Sequence, residues 1–389
     1  MNRSLYERFD TPVNRAGTES VKWDIRESFG NADALPMWVA DMDFQTADGI
    51  LDAMRERVNH GIFGYPTDCA RDRECVKNWL KTRHACEIQE DWVLSSPGVV
   101  DSLYHVLRAI KPEGARIVIQ PPVYGPFRSM PEKAKMQVLE NPLIEGENGW
   151  EMDFDGLEAI FKQGADALIL CSPHNPVGRI WKRNELETLA GLCARYGVII
   201  ISDEIHADFE LRGQKHTPIF AIPGAENAVM LISATKTFNL AALRHSNIVC
   251  ANAEIRKKIE NSLSEAMTDV NLFGKLATRA AYETGEEWLD ALIEYLTDGR
   301  DILADSLNAI PGIRANRPEG TYLMWVDMRA LKMDNEALKR FMIDRCGVIP
   351  NEGAFFGRQG EGFVRLNFAT THANLRLAVE RIRKAVESL

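Results

Sequence analysis

Short apolar runs of strand length punctuate the chain up to Asn252, each followed by a polar turn bearing glycine, proline or serine. They are Trp92-Val93-Leu94, Arg116-Ile117-Val118-Ile119, Ala167-Leu168-Ile169-Leu170-Cys171, Val198-Ile199-Ile200-Ile201 and Val229-Met230-Leu231-Ile232. Short β-branched runs of this kind predict strands buried on both faces. Between them, helical periodicity runs from Thr46 to about His60, from Arg71 to His84, from the Gly98 turn to about Ile110, and over Asn184–Tyr196. Gly61-Ile62-Phe63-Gly64-Tyr65-Pro66 reads as a loop. Strands alternating with helices predict an α/β fold with a mainly parallel sheet sandwiched by helices.

Beyond Asn252 the alternation stops. Long helical stretches fill roughly Ala253 to Ile310, followed by a strand at Thr321–Val326, a helix at Asn335–Cys346, a strand at Phe363–Asn367 and a closing helix to Leu389. The pattern predicts a smaller α+β domain. Residues 1–45 read as an irregular arm, 46–284 as the large domain and 285–389 as the small one. The arm ends in an apolar piece, Leu35 to Phe44 around Trp38, which needs a surface to lie against, its own small domain or a second subunit.

Composition narrows the partners. The 389 residues carry a net charge of −10, with basic residues scattered among acidic ones, which argues against a nucleic-acid or anionic-membrane surface. Seven cysteines without a CxxC pair read as reduced thiols of a cytoplasmic protein, and no HExxH-type pairing suggests a metal. No run approaches the roughly 20 apolar residues of a membrane span, and Met1 to Asp10 lacks the apolar core of a signal peptide.

Candidate chemistry sits where strands should end. Asp203 closes the Val198–Ile201 run, and Lys236 follows the Val229–Ile232 run in a polar setting. Open α/β sheets bind ligands beyond the carboxyl ends of their strands. An acid and an amine at neighbouring strand ends suit a nucleophilic lysine with an acid beneath a cofactor. Spacing alone equally allows two surface residues on unrelated loops. The turn Ser95-Ser96-Pro97-Gly98-Val99-Val100 opens a helix after a strand and offers backbone N–H groups to a phosphate. The GxGxxG fingerprint is absent, and a plain strand-to-helix turn explains the same residues. Ser172-Pro173-His174-Asn175-Pro176-Val177-Gly178 makes a stiff loop at another strand end.

Taken in order, these loops resemble a fold-type I pyridoxal phosphate (PLP) enzyme of the aspartate aminotransferase superfamily. Within it they resemble the cystathionine β-lyase and C–S lyase group (MalY/PatB and cystalysin). The matching pieces are Pro36–Phe44, Gly64-Tyr65, Ser172–Gly178, Ser202-Asp203-Glu204-Ile205-His206, Thr235-Lys236-Thr237-Phe238-Asn239, Glu319–Leu323 with Trp325, and Arg365-Leu366-Asn367.

The resemblance implies roles. Lys236 would carry the cofactor covalently and, once displaced by substrate, move the α-proton; Asp203 would keep the pyridine nitrogen protonated. Asn175 would bond the ring hydroxyl oxygen and border the substrate. Tyr124 would stack on the ring and is a second candidate for proton transfer, with simple packing as the competing role. Gly98, Val99 and Val100 would offer N–H groups to the phosphate, joined by Ser233 and Arg244. Tyr65 would reach the phosphate of a neighbouring subunit, which implies a homodimer. Arg365 would hold the substrate α-carboxylate, and Trp38 and Ala40 would line the mouth. His206, counted with the cofactor-binding residues, stands where aminotransferases commonly carry Tyr and so favours the lyases. Arg244 and the Phe368–His372 stretch depart from the lyase pattern.

The implied reaction is α,β-elimination of L-cysteine S-conjugates to pyruvate, ammonia and a thiol. The alternatives are an amino acid aminotransferase and a PLP-fold protein with a regulatory binding role.

Overall fold

The five apolar runs become five parallel strands of one seven-stranded sheet in the computed structural model, which describes residues 3–67, 69–111, 113–146, 149–267 and 269–389. Across the sheet the order is Val93–Ser96, Ser246–Cys250, Val229–Ile232, Ile199–Asp203, Ala167–Cys171, Arg116–Ile119, Gln137–Glu140. Ser246–Cys250 is antiparallel to both its neighbours and the other adjacent pairs are parallel.

Side-chain alternation along each strand sends successive residues to opposite faces. Leu168, Leu170, Ile200 and Met230 pack on one face with Leu186 and Leu189 of the helix Arg183–Tyr196. Ile169, Ile201 and Leu231 pack on the other with Leu103, Val106 and Leu107 of the helix Val99–Ile110. Each such side chain contributes about 1.5–3 kcal/mol when fully removed from water. Helices on both faces therefore fix the strands, and the strands fix where their ends lie.

A second sheet of four antiparallel strands runs in the order Arg314–Ala315, Leu323–Asp327, Phe363–Asn367, Asn351–Glu352. Its core is continuous with the 23-residue helix Glu286–Asn308 and with the N-terminal arm. Leu35 and Pro36 pair in parallel with Val348 and Ile349, so the arm lies against its own chain.

Several elements depart from the sequence expectation. Residues 1–45 are not all irregular: Arg3–Phe9 is a helix. Leu5, Tyr6 and Phe9 share one face, and Phe9 lies edge-on against Phe44 and Trp288, 5.2 and 5.4 Å between ring centres. Gln137–Glu140 and Ser246–Cys250 are additional strands. The first is a half-exposed edge with polar ends, and the second begins with Ser-Asn, so neither shows a full apolar run. The expected helix Asn335–Cys346 widens after Arg340 into a π-helical turn, Phe341–Arg345.

Candidate active site

The parallel strands all end at one edge of the sheet, and a cavity of about 460 Å³ opens there. Gly98, Val99 and Val100 reach it from the end of Val93–Ser96, Tyr124 from beyond Arg116–Ile119, and Cys171 and Asn175 from Ala167–Cys171. Asp203 and His206 come from Ile199–Asp203, and Thr235 and Lys236 from beyond Val229–Ile232. Arg244 and His245 enter just ahead of the antiparallel strand. Arg365 comes from the small sheet, and Trp38, Val39 and Ala40 from the arm.

Lys236 rides on a single helical turn, Ala234–Thr237, capped by Ser233, whose hydroxyl accepts from the Thr235 N–H. Its Nζ donates to the carbonyl oxygen of Ala40 at 2.6 Å. Burial lowers the amine to about 8 and the Arg365 charge pushes the same way, against Asp41 and Asp203. A lysine titrating there is partly neutral near neutral pH, the form that attacks a carbonyl or takes a proton.

Asp203 lies across from Cys171 in the strand register. Its carboxylate accepts from the Ile205 N–H at 3.1 Å. Burial raises it to about 7, with Glu204 adding to the rise and the Ile205 N–H and Lys236 opposing it. A buried acid in that state binds best a group that brings its own positive charge.

Arg365 is buried, with Nη1 donating to Asn175 Oδ1 at 3.0 Å and Nη2 to the Trp38 carbonyl oxygen at 2.7 Å. The guanidinium rests 4.9 Å over the Phe356 ring. Burial lowers it to about 10, which leaves it charged at neutral pH. Its Nε has no hydrogen-bond partner among the described residues. His206 is neutral: burial, then Lys236 and Arg365, lower it to about 3, and its Nδ1 is likewise unpaired.

Backbone carbonyls of the arm complete the floor. Asn367 Nδ2 donates to the oxygens of Val39 and Asp41, each at 2.6 Å, and Tyr322 Oη to that of Ala40 at 2.9 Å. Behind them Arg15 pairs with Asp41 at 2.8 Å and Asp43 at 2.9 Å, and the buried Lys22 pairs with Asp43 at 3.0 Å. This ion cluster holds the arm where its carbonyls meet Lys236 and Arg365.

At the helix end, the first turn of Val99–Ile110 faces the cavity with its free N–H groups. A Cβ on Gly98 would come 3.1 Å from Asp101 Oδ2, so a side chain there would crowd the turn. Arg244, at φ 47°, donates to Asp101 Oδ2 at 3.0 Å.

Of the residues expected at the site, Ser233 and Tyr65 do not line this cavity. The Ser233 hydroxyl donates to the His245 carbonyl oxygen at 2.6 Å and caps the Lys236 turn, and Thr235 takes the place on the wall. Tyr65 is fully exposed in the single chain. Sequence reasoning did not single out Cys171, Thr235, His245, Asn351 or Phe355, all of which line the cavity.

The arrangement brings together a helix N-terminus with Arg244, an amine and a buried acid. Among the described residues, its buried polar atoms without a hydrogen-bond partner are Arg365 Nε, His206 Nδ1 and His245 Nε2. The helix end, the buried amine of Lys236 and the buried acid of Asp203 together fit a phosphorylated pyridine aldehyde.

The chain belongs to the class I and II aminotransferase family, whose model matches residues 38–382. Within it the chain stands with the cystathionine β-lyases and C–S lyases. It is 39% identical over 384 residues to cystathionine β-lyase PatB of Bacillus subtilis, covering 97% of this chain and 99% of the relative. Protein MalY of Escherichia coli is 34% identical over 388 residues, covering 98% and 99%. The crystal structure of cystalysin from Treponema denticola, which contains pyridoxal 5'-phosphate, matches with a TM-score of 0.94 at 32% identity over 98% of both chains.

Proposed function

We propose that this chain holds PLP on Lys236 and cleaves the Cβ–S bond of L-cysteine S-conjugates. The observation that carries the reading is the convergence of Lys236, Asp203 and Arg365 on one cavity, with the amine lowered to about 8 beside a permanent cation. The two relatives and the cystalysin structure support the lyase branch.

Bound PLP supplies an aldehyde that links to amines and a ring that takes up carbanion charge. The chain supplies the rest. Gly98, Val99, Val100 and Arg244 would hold the phosphate, Asp203 would keep a proton on the ring nitrogen, and Asn175 and Tyr124 would hold the ring. Arg365 grips the α-carboxylate of the substrate bidentately and so sets the direction of its Cα–H bond. Lys236 Nζ takes the α-proton. The thiolate then leaves Cβ and takes a proton from Lys236 Nζ or from the Tyr124 hydroxyl, which burial keeps protonated. The released 2-aminoacrylate adds water to give pyruvate and ammonia, so the conjugate and one water become thiol, pyruvate and ammonia.

The active unit is a homodimer in this reading. Ile62, Phe63, Tyr65 and Met267 are 64%, 57%, 100% and 89% exposed, and Phe63 packs 5.8 Å from Phe273. An apolar patch of this kind suits a second copy of the chain, which would bring its Tyr65 to this cavity.

Incubation of the PLP-loaded protein with an S-alkyl-L-cysteine, without any oxo acid, tests the reaction. Pyruvate and thiol in equal amounts are expected. Conversion of PLP to its amine form without thiol release would assign the chain to transamination instead.

A further inference from the structure

Two ends of the cavity differ in charge. Its charged walls are assigned in the proposed reading: Lys236 and Asp203 to the cofactor, Arg365 to the α-carboxylate, and Arg244 with Asp101 to the helix end. Past Arg365 the wall changes character. The guanidinium bonds the Trp38 carbonyl oxygen at 2.7 Å on one side, and its cross-strand neighbour on the other is Asn351. Phe355 follows; it reaches Gly125, beside Tyr124, so closely that a Cβ there would sit 3.0 Å from the Phe355 ring. Trp38, Val39, Phe355 and the neutral amide of Asn351 thus form the wall next to the clamp. Phe355 is 53% exposed, an aromatic face that its own chain leaves open. Tyr65, the residue that a second copy of the chain would bring to this cavity in the proposed reading, is uncharged as well.

We infer that the S-substituent accepted here is uncharged, an alkyl or aryl group, and that cystathionine is a poor substrate. The inference rests on the lyase reading and deepens it. Cystathionine's distal arm carries an ammonium and a carboxylate. Against this wall both would lose water without gaining a counter-charge, whereas an alkyl or aryl group gains from leaving water. Arg365, the cation adjoining the wall, is occupied by the α-carboxylate.

Two measurements on the PLP-loaded protein test this. The first compares kcat/KM for S-ethyl- and S-benzyl-L-cysteine with that for L-cystathionine, by pyruvate release. At least about a tenfold advantage for the uncharged conjugates is expected. The second measures by calorimetry the binding of L-norleucine against L-lysine and L-2-aminoadipate, which lack a leaving group; norleucine should bind at least about tenfold tighter. Phe355→Arg should tighten 2-aminoadipate several-fold and weaken norleucine. Cystathionine turning over as well as the S-alkyl conjugates, or charged analogues binding as tightly as norleucine, would overturn the inference while leaving the lyase reading in place. If no conjugate yields pyruvate, the lyase reading fails, and the binding ratio still decides whether the wall selects uncharged side chains.

Discussion

The Lys236 ammonium and the carbonyl oxygen of Ala40 meet at 2.6 Å, although 196 residues separate them in sequence. The same oxygen accepts from Tyr322 at 2.9 Å. The position of the arm and the reach of the lysine are therefore one property of the fold. Asn367 holds the carbonyls on either side, of Val39 and Asp41, with two bonds of 2.6 Å.

Asn367→Ala removes both of those bonds and leaves the carbonyls without their partner. The expected result is a loss of about 1–3 kcal/mol in unfolding free energy together with a several-fold rise in KM for amino acid substrates. Denaturant titration and steady-state kinetics read the two effects. An unchanged KM would separate the arm from the site.

Asp203→Asn should act oppositely on stability and on turnover. Burial raises Asp203 from 3.8 to about 7 in the fold, so the folded chain binds the proton more tightly than the unfolded chain. Stability then falls as pH rises from 4 to 7, and the cost is complete above 7. Without cofactor, the Asn variant should be more stable than the parent at pH 8, on the order of 1–4 kcal/mol, with the gap closing toward pH 4. Loaded with PLP, it should lose turnover by roughly a hundredfold or more. A variant equally stable at both pH values would remove the buried, uncompensated acid from the account.

His84 gives the reverse pH signature. Burial alone would lower it, but Asp208, 2.8 Å from Nε2, and Glu210, 3.6 Å from Nδ1, outweigh burial and raise it from 6.5 to about 9. Asp208 also accepts from Thr237 Oγ1 at 2.6 Å, so this pair lies directly behind the turn that carries Lys236. A histidine raised in the fold stabilises fully below its unfolded value, and that stability disappears as pH climbs through about 9. His84→Gln should therefore cost about 3–5 kcal/mol at pH 6 and much less at pH 9.5, as measured by urea midpoints at each pH.

Arg365→Ala should raise KM for carboxylate-bearing substrates by about a hundredfold with a smaller change in kcat, because the bidentate grip acts on bound substrate at every stage. Equal KM values in parent and variant would remove Arg365 from substrate binding.

Much of this site was legible in the sequence because it is built from strand ends. Asp203 and Lys236 each follow an apolar run, so their convergence follows once the runs are adjacent parallel strands. Asn367 is two positions beyond Arg365 on one strand, the spacing that puts both on one face, and could have been read the same way. Asn351 could not: its place beside Arg365 depends on the pairing register of Asn351–Glu352 with Phe363–Asn367. A hydroxyl at Ser233, just ahead of the lysine, suits a phosphate donor and a helix cap equally in the sequence, and in the structure it caps the Lys236 turn. The strand Ser246–Cys250 was hidden by its polar start, although its antiparallel course brings Arg244 to the cavity.

One measurement bears on the central claim more directly than the rest. The PLP-loaded protein is reduced with borohydride, digested and sequenced by mass spectrometry. The reduced cofactor's added mass should lie on the peptide containing Lys236. Its presence on another lysine, such as the buried Lys275 or Lys22, or on no peptide at all, would contradict the account.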